Sequence, residues 1–175
     1  MKYLLSVALL LLLISCKKTE TQFSPPLSNT GSFGFDFDGN SVGGTTFDTN
    51  FFPSDSIFEI AGSSDPTSPV PQYDFAIEIK LRTDNITLGQ YIANVVPTAS
   101  IATNTSSFHE ATGIVNGSTQ YDNFTTSPQA QLTINIATYN PSTKQVGCTF
   151  NGSLQNTDNN SIHTVTSGSI TGVIQ

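Results

Sequence analysis

The tightest constraint on this chain is a two-residue period. Between Tyr73 and Arg82, the apolar residues Tyr73, Phe75, Ile77, Ile79 and Leu81 alternate with Asp74, Ala76, Glu78, Lys80 and Arg82. Successive side chains of an extended strand point to opposite faces, so this segment offers five apolar groups to one side and a charged ladder to the other. A one-residue slip in pairing would drive Glu78, Lys80 and Arg82 into the core, so the register is strongly specified. Burying the five apolar side chains contributes roughly 8–15 kcal/mol before entropy, as an upper bound.

The period recurs along the chain. Phe33, Phe35 and Phe37 alternate with Gly34, Asp36 and Asp38, and Asp38-Gly39 supplies a hairpin turn. Ile57, Phe58 and Ile60 predict a short strand, and Ile86–Ala93, Ser100–Thr103 and Phe108–Val115 predict three more. Gly43-Gly44 reads as a turn. Ser63–Gln72, with Pro66, Pro69 and Pro71, reads as a loop, as does Asn116–Pro128. The C-terminal third reads as a meander of Gln129–Tyr139, Gln145–Gln155, Ser161–Thr166 and Ser169–Ile174, with turns at 140–144 and 156–160. A short helix near Ala93–Thr103 is the one helical alternative. Short strands at this spacing predict an all-β domain over residues 31–175, of about 8–10 antiparallel strands in a β-sandwich or a curled, partly closed barrel.

The N-terminus obeys different rules. Lys2 precedes an apolar run from Leu4 to Ile14, broken only by Ser6, that ends in Leu13-Ile14-Ser15-Cys16. Eleven residues are too few to span hydrocarbon, which needs about 20 at helical rise. A charged start, a short apolar core and a small residue before the cut site describe a secretory signal. The last four residues resemble the lipobox of bacterial lipoproteins. That resemblance implies cleavage after Ser15, a diacylglyceryl group on Cys16 and, in a Gram-negative envelope, an N-acyl chain such as palmitate. Two or more acyl chains give stable anchoring where one does not. Lys17–Thr30 is polar, contains Pro25-Pro26 and has no period, so residues 16–30 read as a tether of about 20 Å root-mean-square reach.

Composition narrows the function classes. Charged residues are only 11%, and Ser, Thr, Asn and Gln take their place as the solvent face. Loss of Lys2 with the signal takes the net charge from −7 to −8. With no basic stripe to meet phosphates, nucleic acid is not an expected partner. If Cys16 carries lipid, Cys148 has no disulfide partner. Alternating with Val146 and Phe150, it reads as a small buried hydrophobe rather than a reactive thiol.

A further resemblance covers most of the chain after the signal. Tyr121, Leu132-Thr133-Ile134, Lys144, Gly147-Cys148-Thr149-Phe150, Asn156 and Thr166-Ser167-Gly168-Ser169-Ile170 follow one another in that order. Upstream stand Phe35-Asp36-Phe37-Asp38-Gly39 and Gly89-Gln90-Tyr91. This succession, with the Ser-Cys-Lys-Lys junction, resembles small all-β lipoproteins of Bacteroidota that carry no assigned activity. It implies a fold and an outer-membrane address, facing the periplasm or the cell surface, and no chemistry.

No constellation carries a reaction by spacing alone. Asp36-x-Asp38-Gly39-Asn40 has the look of a calcium loop, but aligning Gly39 with the loop glycine leaves Gly34 and Thr45 at the two end positions, where ligands are required. A strand entering a turn accounts for the same residues. His109 and His163 stand 54 residues apart without a ligand-like neighbour, so no metal site and no cofactor are expected. Glu110, next to His109, falls in a loop-like stretch and reads as solvated; Glu59 and Glu78 read as outward strand charges. No nucleophile elbow, zinc-protease helix or phosphate-binding glycine loop occurs, so no catalytic residue is assigned. Six Asn-x-Ser/Thr triplets read as chance in an Asn-, Ser- and Thr-rich chain. Asp55-Ser56-Ile57 resembles the O-glycosylation triplet of Bacteroidota and makes Ser56 a candidate for modification.

These readings converge on a non-enzymatic, lipid-anchored module of the cell envelope, held to the membrane through Cys16, that binds a protein or glycan partner or serves a structural role. The alternatives are a lipocalin-like carrier with an apolar barrel cavity and a carbohydrate-active hydrolase, which needs two acids converging in a cleft.

Overall fold

The computed structural model describes residues 31–64, 75–95, 104–115 and 118–175. The signal segment, Cys16, the tether, nearly all of the Ser63–Gln72 loop, the strand expected at Ser100–Thr103 and the helical alternative beyond Val95 lie outside the described residues. Ten strands follow in chain order: β1 (Gly31–Phe37), β2 (Asn40–Phe52), β3 (Ile57–Ser63), β4 (Phe75–Arg82), β5 (Gly89–Ala93), β6 (Thr105–Val115), β7 (Ser118–Thr125), β8 (Leu132–Asn140), β9 (Gln145–Asn156) and β10 (Ile162–Val173). All pairings are antiparallel, and the described residues contain no helix.

The sheet runs β10-β1-β2-β3-β4-β6-β7-β9, and β9 pairs back onto β10. Eight strands therefore close on themselves as a barrel, while β8 and β5 extend from the other part of the β9 edge. Closure pairs each of the eight barrel strands on both sides, whereas β5, at the end of the extension, remains an edge strand among the described residues. The β7–β9 seam rests on two residue pairs, Phe124 with Asn156 and Thr125 with Gln155. A backbone bond from Thr157 to Asn123 (2.9 Å) continues it.

Alternation decides which side chains fill the interior. Ile77, Ile79 and Leu81 of β4 are buried and stand opposite Gly62, Ile60 and Phe58 of β3. The outward ladder carries Glu59, Glu78 and Lys80, with Lys80 3.1 Å from Glu78 and 3.6 Å from Glu59. Phe33, Phe35 and Phe37 all point inward. Phe35 meets Phe108 at 5.1 Å and Phe150 at 5.6 Å between ring centres, and Phe37 meets Phe108 and Phe124 at 4.8 Å each. Tilted and edge-on ring pairs at these distances add packing energy beyond their area. Cys148 is buried among these groups, as the alternation predicts; burial pushes its thiol up to about 12, which leaves it inert.

Several elements differ from the sequence expectation. Gly43 and Gly44 lie inside β2 rather than in a turn. A Cβ on Gly44 would stand 2.3 Å from the Ser63 carbonyl oxygen, so the glycine serves close strand approach. Asn116–Pro128 is mostly strand β7. The predicted strand at Ile86–Ala93 begins only at Gly89. Ser161–Thr166 and Ser169–Ile174 join into the single strand β10, whose register against β9 shifts between Val165 and Gly168. Ser167 there has φ 54°, so the apparent break is a β-bulge, a device that bends a strand around a barrel.

Candidate functional site

The β1–β2 hairpin turns through two residues, Asp38 (φ 49°) and Gly39 (φ 83°), between the paired Phe37 and Asn40. Positive φ at both central positions is what a two-residue hairpin following the strand twist demands, and Asp-Gly meets it at low cost. The calcium-loop residues are thus a turn, and Asp36 accepts a hydrogen bond from Ser41 across the hairpin (2.8 Å).

That turn brings Asp38 to β10. The backbone N–H of Asp38 donates to the Thr164 carbonyl (2.9 Å), and Asp38 Oδ1 accepts from the Thr164 N–H (2.7 Å). Its other oxygen, Oδ2, lies 2.7 Å from His163 Nδ1. The far ring nitrogen, Nε2, lies 2.6 Å from Ser161 Oγ. Ionised carboxylates only accept, so Nδ1 carries the hydrogen toward Asp38. The imidazole stacks on Phe37 (5.4 Å, 11° between planes) and meets the edge of Phe124 at 4.8 Å. Partial burial pulls the Asp38 carboxyl up, but the Thr164 amide and His163 outweigh it and hold its pKa below the ordinary 3.8.

Ser161 is placed by the β9–β10 turn. Asn156 Oδ1 accepts from the N–H groups of Asp158 (2.8 Å) and Asn159 (3.2 Å), and Asn159 Oδ1 accepts from the Ser161 N–H (2.8 Å). The Asn156 N–H donates to the Ser161 carbonyl (2.9 Å). These Asx-type bonds fix a polar turn without a core of its own.

Beside this relay, at the mouth of the barrel, is a pocket of about 250 Å³ lined by Phe37, Asp38, Asn40, Ser41, Val42, Glu110, Asp122, Phe124 and His163. Glu110 on β6 and Asp122 on β7 stand directly opposite each other in the ladder. Burial first, then the Asp122 charge, pushes the Glu110 carboxyl above the ordinary 4.5 against an opposing pull from His163. Among the described residues no Lys or Arg lines the pocket. A second concavity of about 300 Å³, at Thr138, Tyr139, Asn140, Gln145, Val146 and Thr171, carries no charged group.

The residues singled out from sequence distribute as follows. Glu110 belongs to β6 rather than a loop and faces the pocket, whereas His109, one residue away, bonds Asn123 (2.6 Å) on the opposite face. Glu59 and Glu78 flank Lys80 on the outer wall, as expected; they share its ammonium there and take no part in the pocket. Ser56 lies half-buried in the β2–β3 turn with φ 55°, donating to Asp84 Oδ1 at 2.5 Å. Among the described residues no group of three or more His, Cys, Asp or Glu is arranged to hold a metal ion. Sequence reasoning missed the convergence of Asp38, Ser161 and His163. Its local signal was Ser-x-His at a strand start, where residues two apart share a face; Asp38 is 125 residues away, joined only by topology.

With this geometry in hand, comparison with family models, curated proteins and solved structures gave no match to the chain.

Proposed function

We propose that this chain is a lipid-anchored binding module of the cell envelope that holds a small organic cation at the mouth of its barrel. The observation that carries the ligand class is the pocket itself: Glu110 and Asp122 face each other beside Asp38 over apolar walls from Phe37, Val42 and Phe124, and the one basic group among the described lining residues, His163, is bonded to Asp38. A cation seated there meets two opposed carboxylates and aromatic surface, a combination suited to amines and quaternary ammonium groups. The barrel is also the architecture a lipocalin-like carrier needs. The phenylalanine cluster packs its middle, however, and of the two concavities described the one that carries charged groups is at the mouth. The lipobox at Leu13–Cys16 supports the anchor.

Titrating the purified full chain with choline, followed by calorimetry, tests the ligand class. Binding that weakens at least tenfold in Glu110→Gln/Asp122→Asn is the expected result. Affinity unchanged in that variant, or equal affinity for a neutral alcohol of the same size, would overturn it. For the anchor, radiolabelled palmitate should enter the wild type and not Cys16→Ser.

A further inference from the structure

We propose that Ser161, His163 and Asp38 form a nucleophilic relay that transfers short acyl groups from esters at the rim of the barrel mouth. The contacts have the polarity such chemistry needs: Ser161 Oγ to His163 Nε2 at 2.6 Å, and His163 Nδ1 to Asp38 Oδ2 at 2.7 Å. One ring nitrogen receives the serine proton while the carboxylate holds the other in the donor tautomer. Asp38 is a positioning residue, itself fixed by the Thr164 N–H at 2.7 Å. Its lowered pKa keeps it ionised wherever the protein is folded at ordinary pH. Phe37 and Phe124 clamp the imidazole plane, so the base does not have to be ordered when substrate arrives.

The balanced sequence is simple. Ser161 Oγ attacks the ester carbonyl carbon as its proton passes to His163 Nε2. The bond to the alkoxide oxygen breaks, and the alkoxide leaves as alcohol with that proton. Water then attacks the acyl-serine, giving its proton to His163 and on to Ser161 Oγ, and the carboxylic acid departs. Ser161 is exposed on a turn and lies outside the pocket lining, which selects small, accessible esters such as acetyl groups. The Ser161 N–H is engaged by Asn159 Oδ1 and does not serve the oxyanion. A missing donor of that kind costs about 10²–10³-fold, so turnover is slow and a trapped serine is the more sensitive readout.

The test is to react the purified full chain with a fluorophosphonate probe and locate the adduct by mass spectrometry, alongside hydrolysis of p-nitrophenyl acetate. Expected is an adduct on Ser161, at least tenfold slower labelling in His163→Gln and Asp38→Asn, and hydrolysis above buffer that Ser161→Ala abolishes. Ser161→Ala alters only an exposed hydroxyl, and thermal unfolding of that variant checks that it remains folded. No adduct on folded wild type, or hydrolysis unaffected by Ser161→Ala, would overturn the relay and leave the three residues as a clamp between β1 and β10. Choline binding, which Ser161→Ala leaves in place, is read separately, so failure of the relay and failure of the pocket reading are distinguishable.

Discussion

The β3–β4 panel and the β6–β7 wall are both antiparallel pairs in one closed barrel, yet they face different interiors. In β3–β4 the inward pairs Phe58–Leu81 and Ile60–Ile79 are fully or almost fully buried. In β6–β7 Phe108 and Phe124 continue that layer, and the neighbouring inward pair Glu110–Asp122 stands at the mouth. The first panel maximises apolar burial. The second gives up burial at one pair and gains two carboxylates in a semi-apolar pocket, an arrangement that costs stability and is typical of binding sites.

The largest expected effect comes from breaking the buried layer. Phe35 is 3% exposed and touches Phe33, Phe37, Phe108 and Phe150. Phe35→Ala should cost about 3–5 kcal/mol, because the ring of strands around it cannot collapse to fill the void. Urea unfolding checks this, and a loss below about 1 kcal/mol would mean that the aromatic cluster is not the barrel's core.

A smaller effect is expected where the mouth is tied shut. Asp38→Asn weakens the link to His163 and Thr164 and should cost about 1–2 kcal/mol at neutral pH. The sign with pH follows from the lowered carboxyl. The Asp38 contribution is fully present above its ordinary value of 3.8 and disappears as pH falls through the lower folded value. The wild type and Asp38→Asn should therefore converge in thermal stability in strong acid, and a gap that widens there would contradict the assignment.

Legibility followed the same divide. The β4 alternation, the Asp38-Gly39 turn and the burial of Cys148 were readable because an apolar interior imposes a period of two on the residues facing it. β7 was not, since its inward residues include Asp122 and only Phe124 is apolar enough to mark a strand. Gly43-Gly44 misled because glycine marks a turn and a close strand contact with equal force. The split in β10 misled because a bulge at Ser167 imitates a turn. The Asp38–His163–Ser161 relay depends on strand order around the barrel, which a local pattern does not encode.

Glu110 should move in the opposite sense to Phe35. Its folded carboxyl is raised, so the native state binds its proton more tightly than the unfolded chain does. Stability associated with this group is greatest below the ordinary value of 4.5 and declines as pH rises through the raised one. Glu110→Gln removes the charge facing Asp122 and should stabilise the protein at neutral pH by roughly a few tenths of a kcal/mol, since solvent screens the pair. Thermal scans of both proteins between acid and neutral pH test this, and a destabilised Glu110→Gln at neutral pH would show that the carboxylate supports the fold.

A last pair of substitutions isolates polarity from packing inside β2. Thr49 of β2 is fully buried and its hydroxyl has no hydrogen-bond partner among the described residues. An unpaired buried hydroxyl carries a desolvation cost that an apolar group of the same shape avoids. Thr49→Val keeps the branched shape, so it should raise stability by up to about 1 kcal/mol, with an unchanged dependence on urea. Thr46, which flanks the β2 bulge, donates to the Thr171 carbonyl (2.6 Å) and gives the matched control. Thr46→Val deletes a made bond and should destabilise by a similar amount. If both substitutions shift stability in the same direction, side-chain volume rather than hydrogen bonding governs β2, and the contrast between a burial-driven panel and a polar mouth would have to be redrawn around packing alone.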